Sequence, residues 1–248
     1  MRLHRFFIPE LVGNRTELII RSSDLVGQLR RVLRLKIGEE AVIFDGSGSD
    51  YTAAIAQYVG ADCVVFDVRG AARSRYMPSR KIYLCAALVK KDNFEFIVEK
   101  ATELGVTDII PVLAERSEKK SVNEERLNKI AVEASEQSGR GNVPVVHPVV
   151  SLKEAVELFK KEESGERGSI EMPAAVQCLV FHTDGEHLNR NGLPKDAPIA
   201  LFIGPEGGWS PDEVAMFHAH DIDTVCLGSQ VLRAETAVVA ALSQVVFG

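Results

Sequence analysis

The sequence predicts an α/β protein in two parts, a small β-rich module followed by a parallel sheet with helices on both faces. Three observations predict it. Short apolar or alternating runs separated by turn residues fill the first seventy-odd positions, whereas from Lys81 onward the rhythm is strand, helix, strand, helix. Between the two, Gly70 to Ser79 follows neither period and reads as a linker, dividing the chain into residues 1–73 and 74–248. The 248 residues, 46% hydrophobic, can fill one large core or two modest ones, which excludes disorder, collagen or coiled coil as the whole answer.

In the first part, runs at Arg5 to Ile8, Leu18 to Arg21, Ala41 to Asp45, Tyr51 to Gln57 and Cys63 to Val68 predict five strands. A helix from Ser23 to Leu33 interrupts them, and the set suggests a small barrel. Asp45-Gly-Ser-Gly-Ser-Asp50 lies between two β runs, so a hairpin turn is preferred to a phosphate loop. In the second part, Lys81 to Val89 reads as a buried strand. Asp92 to Glu95 has capping-box spacing, with Asp92 as the cap of a helix whose Phe94, Ile97, Val98, Ala101 and Leu104 share one face and which Gly105 ends. A strand at Asp108 to Leu113, a helix at Glu124 to Ser138, a strand at Val145 to Val150 and a second capping box, Ser151 to Glu154, come next. Glu162 to Pro173 is polar and reads as a surface loop. Strands Val176 to His182, Ile199 to Ile203 and Thr224 to Leu227 complete the parallel pattern. The last helix, Ala237 to Val246 with Thr236 as its cap, is apolar all round and needs enclosure within the fold or against a second subunit.

Charge and cysteine usage narrow the function. A net charge of −6 argues against a wholly basic nucleic-acid coat protein. Residues 1–75, however, carry ten Arg and one Lys against nine acids, and Arg is the cation whose planar fork suits phosphate. Cys63, Cys85, Cys178 and Cys226 each sit in an apolar run with no CxxC pair, as reduced core thiols of a cytoplasmic protein do. Pro9 interrupts the N-terminus before a signal h-region could form, and no apolar stretch approaches the ~20 residues of a membrane span. His182, Asp184 and His187 lack the helical spacing of HExxH, so no metal centre is expected. GxGxxG after a strand and GxxxxGK[ST] are both absent, which disfavours a nucleotide-dependent Rossmann enzyme.

Ligands of such sheets bind beyond the carboxyl ends of the strands, and two loops there stand out. Gly204, Gly207 and Gly208 mark a tight bend before Ser210-Pro-Asp-Glu213, a capping box with Pro at the first helical position. An ordinary strand-to-helix connection is the alternative, but a plain turn rarely needs three glycines, a proline and an inserted acid. The second loop, Cys226 to Ala237, places Arg233 and Glu235 beside an apolar helix, where they either form a structural ion pair or take part in chemistry.

Gly204-Pro-Glu-Gly-Gly208 with Ser210 and Glu213, then Leu227-Gly228 and Val231-Leu-Arg-Ala-Glu-Thr-Ala237, resemble the two closing motifs of the RsmE family, bacterial 16S ribosomal RNA uridine-N3 methyltransferases of the knotted SPOUT class. Lys100-Ala-Thr-Glu-Leu-Gly105, Pro111, Glu115-Arg-Ser117, Glu133-Ala-Ser-Glu-Gln-Ser-Gly-Arg140, Arg5-Phe-Phe7 and Val32-Leu-Arg34 match in order, so the resemblance spans nearly the whole chain. Gln230 and Ala234 stand where the family often has Arg and Thr, Trp209 where Phe or Leu is usual, and Val26 to Leu29 lacks a common histidine.

The resemblance implies a PUA-like barrel over 1–73, an α/β-knot domain over 74–248, S-adenosylmethionine as methyl donor, and a homodimer acting on 16S rRNA of the small subunit. It implies donor contacts from His182, Ile203, Gly204, Pro205, Glu206, Gly207 and Gly208. The later loop adds Leu227, Gly228, Ser229, Val231, Leu232 and Thr236. Neutral uridine N3 carries a proton, so Glu235 or Glu206 is expected to accept it while Arg233 steadies the charge left on the uracil oxygens. Arg5, Arg30, Arg31, Arg34, Gln137 and Arg140 are the expected RNA contacts, the alternative being a solvated helix face beside a core Phe pair. The alternatives are a related methyltransferase for another RNA position and a non-catalytic ribosome-assembly protein.

Overall fold

Alternation of buried and exposed side chains builds the N-terminal unit around a five-stranded mixed sheet. Strands β1 (Arg5–Phe7) and β2 (Glu17–Arg21) are followed by a short helix α1 (Ser23–Gly27), then by β3 (Glu40–Phe44), β4 (Ser49–Val59) and β5 (Cys63–Arg73). The order is β1-β3-β4-β5-β2, with β1 parallel to β3 and the other pairs antiparallel. It is an open half-barrel rather than a closed one. Phe6, Leu29, Ile43, Ile55 and Phe66 fill its core.

The computed structural model describes residues 3–159, 166–167, 170–171, 173, 175–189, 192–193 and 195–247. Most of Glu162 to Pro173, the expected surface loop, lies outside them. The chain divides into one unit of Met1–Met77 with Ser135–Val143 and another of Pro78–Ala134 with Pro144–Gly248. Within the first unit, the amide of Phe7 donates to Glu136 Oε1 at 2.9 Å and the amide of Gly141 to the Tyr76 carbonyl at 3.1 Å.

Two expectations for this unit need correction. The helix from Ser23 is α-helical only to Gly27; Gln28–Val32 form a π turn, closed by a bond from the Leu33 amide to the Gln28 carbonyl at 2.9 Å. The linker from Gly70 is half strand, because β5 keeps pairing with β4 as far as Arg73. Its last residues are exposed, so backbone pairing holds them and no apolar period marks them.

The second unit contains β6 (Ile82–Ala87), α2 (Lys91–Glu103), β7 (Asp108–Leu113), the first part of α3 (Glu124–Ser138), β8 (Val145–Val146), β9 (Val150–Ser151) and α4 (Leu152–Leu158). A small antiparallel pair, β10 (Glu166–Arg167) and β11 (Ile170–Glu171), precedes β12 (Gln177–His187), β13 (Ile199–Ile203), α5 (Pro211–Ala219), β14 (Asp223–Cys226) and α6 (Ala234–Phe247). The main sheet, ordered β14-β12-β13-β6-β7-β8 with β9 also on β7, is parallel throughout. Tyr83, Cys85 and Phe202 face α4 and α5 on one side. There the rings of Tyr83, Phe159, Phe202, Phe217 and Trp209 meet edge to face in succession, with centroids 5.2 to 5.7 Å apart. Leu84 and Ala86 turn to the opposite face, and α6 packs on β13 and α2.

Local chemistry explains the departures here. Lys90, not Asp92, precedes α2 and makes no side-chain cap; Asp92 lies in the first turn, where its charge favours the helix dipole. The expected strand Val145 to Val150 splits around Pro148, which has no amide to give the ladder. Helix α6 begins at Ala234, with the Ala237 amide bonded to the Arg233 carbonyl at 2.8 Å, so Thr236 lies within the first turn and does not cap it. Only one face of α6, Ala234, Val238, Ala241, Leu242 and Val245, is buried. Strand β12 runs on to His187 instead of ending at His182: after a bulge following Phe181, Glu186 and His187 pair with Val225 and Cys226. The capping boxes at Ser151 and Ser210 form as the spacing predicts. Among the described residues, no helix is long and apolar enough to cross a membrane.

Candidate functional site

The bulge in β12 and the carboxyl ends of β13 and β14 open onto a cavity of about 360 Å³ in the second unit. Ile203, Gly204, Pro205, Glu206, Gly207 and Gly208 form one wall. His182 from β12, with Leu227, Gly228, Val231 and Leu232 from the loop after β14, forms another. The structure therefore gathers eleven of the expected donor-binding residues around one space, while Ser229 and Thr236 are exposed and outside its lining.

The glycines of the first bend have separate reasons. A Cβ on Gly204 would meet the Trp209 indole at 3.2 Å, and one on Gly207 would meet Arg116 at 3.3 Å, whereas Gly208 has φ +67°. Glu213 ties this bend to the loop after β7: Oε1 accepts from the Glu115 amide at 2.8 Å and Oε2 from the Ser210 amide at 2.8 Å. The amide of Asp184 donates to His182 Nδ1 at 3.1 Å, so the neutral imidazole carries its proton on Nε2. Trp209 is buried, and its Nε1 has no hydrogen-bond partner among the described residues.

Of the expected catalytic residues, Glu206 lines the cavity. Arg233 is exposed and Glu235 half-buried, and neither belongs to the lining. They form no ion pair with each other among the described residues, and Glu235 Oε2 is buried without a partner. Sequence reasoning missed Arg116, Phe181, Thr183, Trp209, Cys226 and Gln230 as lining residues. Arg116 had a signal, its place in the Glu115-Arg-Ser117 motif just past a strand end.

The first-unit candidates separate into two groups. Arg5 makes a bidentate pair with Asp50 at 2.6 and 2.9 Å, donates to the Arg140 carbonyl at 3.2 Å and lies 4.9 Å over the Phe44 ring. Phe6 is core, and Phe7 packs on Phe44 at 5.5 Å. Arg5 and its aromatic neighbours are thus engaged inside the unit. Arg140 is 4% exposed and donates to Asn142; burial pulls its pKa down to about 10, which still leaves it charged at neutral pH. Arg30, Arg31, Arg34 and Gln137 are exposed, with Arg30 stacked 5.0 Å from the Tyr58 centroid.

Residues 76–246 match the RNA methyltransferase domain family, and residues 29–57 match the RNA methyltransferase PUA domain. The class is therefore an RNA methyltransferase with the SPOUT-type α/β fold and a PUA-like N-terminal unit. The chain is 32% identical over 241 residues to ribosomal RNA small subunit methyltransferase E of Bacillus subtilis, covering 90% of this chain and 88% of that one. The crystal structure of ribosomal RNA small subunit methyltransferase E from Neisseria gonorrhoeae, bound to S-adenosyl methionine, is 28% identical with a TM-score of 0.83, covering 98% and 96% of the two chains. A putative methyltransferase of Legionella pneumophila, in complex with the cofactor SAM, is 27% identical with a TM-score of 0.84, covering 99% and 97%. The chain belongs to the ribosomal RNA small subunit methyltransferase E family.

Proposed function

We propose that this enzyme transfers the methyl group of S-adenosylmethionine to N3 of a uridine in 16S rRNA of the small ribosomal subunit, acting in the cytoplasm as a homodimer. The observation that carries the reading is the convergence of the bulge in β12 and the bends after β13 and β14 on one cavity, in a chain whose solved relatives hold that cofactor. The lining suits the donor: Phe181, Ile203, Leu227 and Leu232 offer apolar surface to a purine, and the glycine bend brings backbone amides and carbonyls to the same space. His182 contributes an Nε2–H donor, and Ser229 and Thr236 stand at the margin.

When bound, S-adenosylmethionine supplies an electrophilic methyl group on a sulfonium sulfur. The chain must hold uridine N3 in line with the methyl–sulfur bond, so that the N–C bond forms as the C–S bond breaks. Glu206, already on the cavity wall, is the readier acceptor of the N3 proton, with the unpartnered Oε2 of Glu235 as the other candidate. Arg233 steadies the negative charge spread over the uracil carbonyl oxygens. Residues 1–73 serve as the RNA-binding module through Arg30, Arg31, Arg34 and their neighbours, and 74–248 carry the chemistry. The half-buried side of α6 supports a second subunit, since Val239, Ala240 and Val246 stand there beside Ser243 and Gln244 and only partly covered.

The test is nucleoside mass spectrometry of rRNA from cells lacking the protein, followed by restoration with purified enzyme, small subunits and labelled donor. Loss and return of 3-methyluridine is the expected result. An unchanged nucleoside profile overturns the reading.

A further inference from the structure

We infer that Arg116 is a substrate-positioning residue whose guanidinium, at the rim of the cavity, grips a phosphate of the RNA strand carrying the target base. The inference rests on the methyltransferase reading and adds to it a contact from outside the two glycine-marked loops. Arg116 stands in the loop after β7. Its stem lies so close to Gly207 that a Cβ there would be 3.3 Å from both its Cβ and its Cδ. Its Nη1 donates to the Gly207 carbonyl at 2.8 Å. That is its one hydrogen bond among the described residues, and no carboxylate is paired with it, whereas Lys90 in the same region is 3.8 Å from Glu118.

The fork is therefore half used. One edge holds a backbone oxygen of the site, and the remaining N–H groups are available to a planar or tetrahedral oxyanion. The loop that carries it is held at both ends: the Ala114 amide donates to Ser117 Oγ at 3.1 Å, the Ser117 amide to the Ala114 carbonyl at 3.1 Å, and the Glu115 amide to Glu213. Little conformational freedom is left to lose on binding. Exposure decides which oxyanion. Ile203 and Trp209 in the same lining are 2% and 3% exposed, whereas Arg116 is open to solvent and meets an arriving polyanion before the donor's own carboxylate.

The experiment compares wild type, Arg116→Ala and Arg116→Lys on small subunits from cells lacking the protein. It measures kcat and KM for subunits, their salt dependence, and the Kd for S-adenosylmethionine by Trp209 fluorescence. Arg116→Ala is expected to raise KM for subunits about tenfold, with cofactor Kd within about twofold, and to reduce the salt slope of kcat/KM by about 1. Arg116→Lys falls between the two, keeping the charge and losing the fork. Unchanged KM and salt slope overturn the inference, as does a loss confined to cofactor Kd, which would assign Arg116 to the glycine bend alone. If wild type methylates no subunit, the proposed function falls instead; Arg116 is then judged by equilibrium binding of both proteins to the same subunits, where equal affinity overturns it.

Discussion

Glu213 shows how much of the site depends on residues that face away from it. Its two oxygens satisfy the amides of Glu115 and Ser210, and its own amide donates to Ser210 Oγ at 3.3 Å, so one buried carboxylate registers two loops. Glu213→Ala is expected to cost about 1–3 kcal/mol in denaturant unfolding, because the buried Ser210 amide and the part-buried Glu115 amide lose their acceptor. Gly204→Ala has a different signature: its methyl group presses on the Trp209 ring, so cofactor affinity should fall about tenfold. Trp209 is the only tryptophan, so its emission reports that titration directly. An unchanged Kd would show that the ring yields without disturbing the cavity. Glu213 was legible in the sequence as part of a capping box with Pro211, since that chemistry is local. Its bond to Glu115 was not, because it joins residues nearly a hundred positions apart.

Among the elements, β7 and β12 carry the sharpest consequences. At the start of β7, Asp108 is 5% exposed, 3.0 Å from His147 Nε2 and 3.4 Å from Lys81 Nζ. Burial raises its pKa, but bonds from His147 and Thr107, with the charge of Lys81, outweigh this and hold it below the usual carboxylate range. A carboxylate depressed in the folded state stabilises fully above its unfolded pKa and loses that contribution as pH falls through the folded value. Stability should therefore decline below about pH 4, and Asp108→Asn should flatten that acid limb in pH-resolved melting curves. In β12, a Cβ on Gly185 would lie 2.6 Å from the backbone of Val225. Gly185→Ala is expected to destabilise by about 1–3 kcal/mol and to speed amide exchange along β14. The sequence reveals the apolar half of β12 and hides the rest, because His182 to His187 has no apolar period and is held by backbone pairing. The same cause concealed the end of β5. By contrast, α3, β7 and β13 were readable to the residue, each bounded by its own turn or capping chemistry.

For the whole molecule, alternation and the change of rhythm near Lys81 were enough to read a β-rich beginning and a parallel α/β remainder. They were not enough to show that Ser135–Val143 belongs with the first seventy-seven residues. Helix α3 is a regular amphipathic helix, and nothing in its period marks the point where its company changes. The bidentate pair of Arg5 with Asp50, and the hold of Arg5 on the Arg140 carbonyl, were hidden for the same reason, since each joins distant positions. The chain thus enters its N-terminal unit, leaves it, and comes back for nine residues. A single protease nick after Met77 should therefore liberate nothing: the two fragments should co-elute on a sizing column and separate only in denaturant. Anyone wishing to transplant the front module onto another enzyme would have to carry a stitch of the second half along with it.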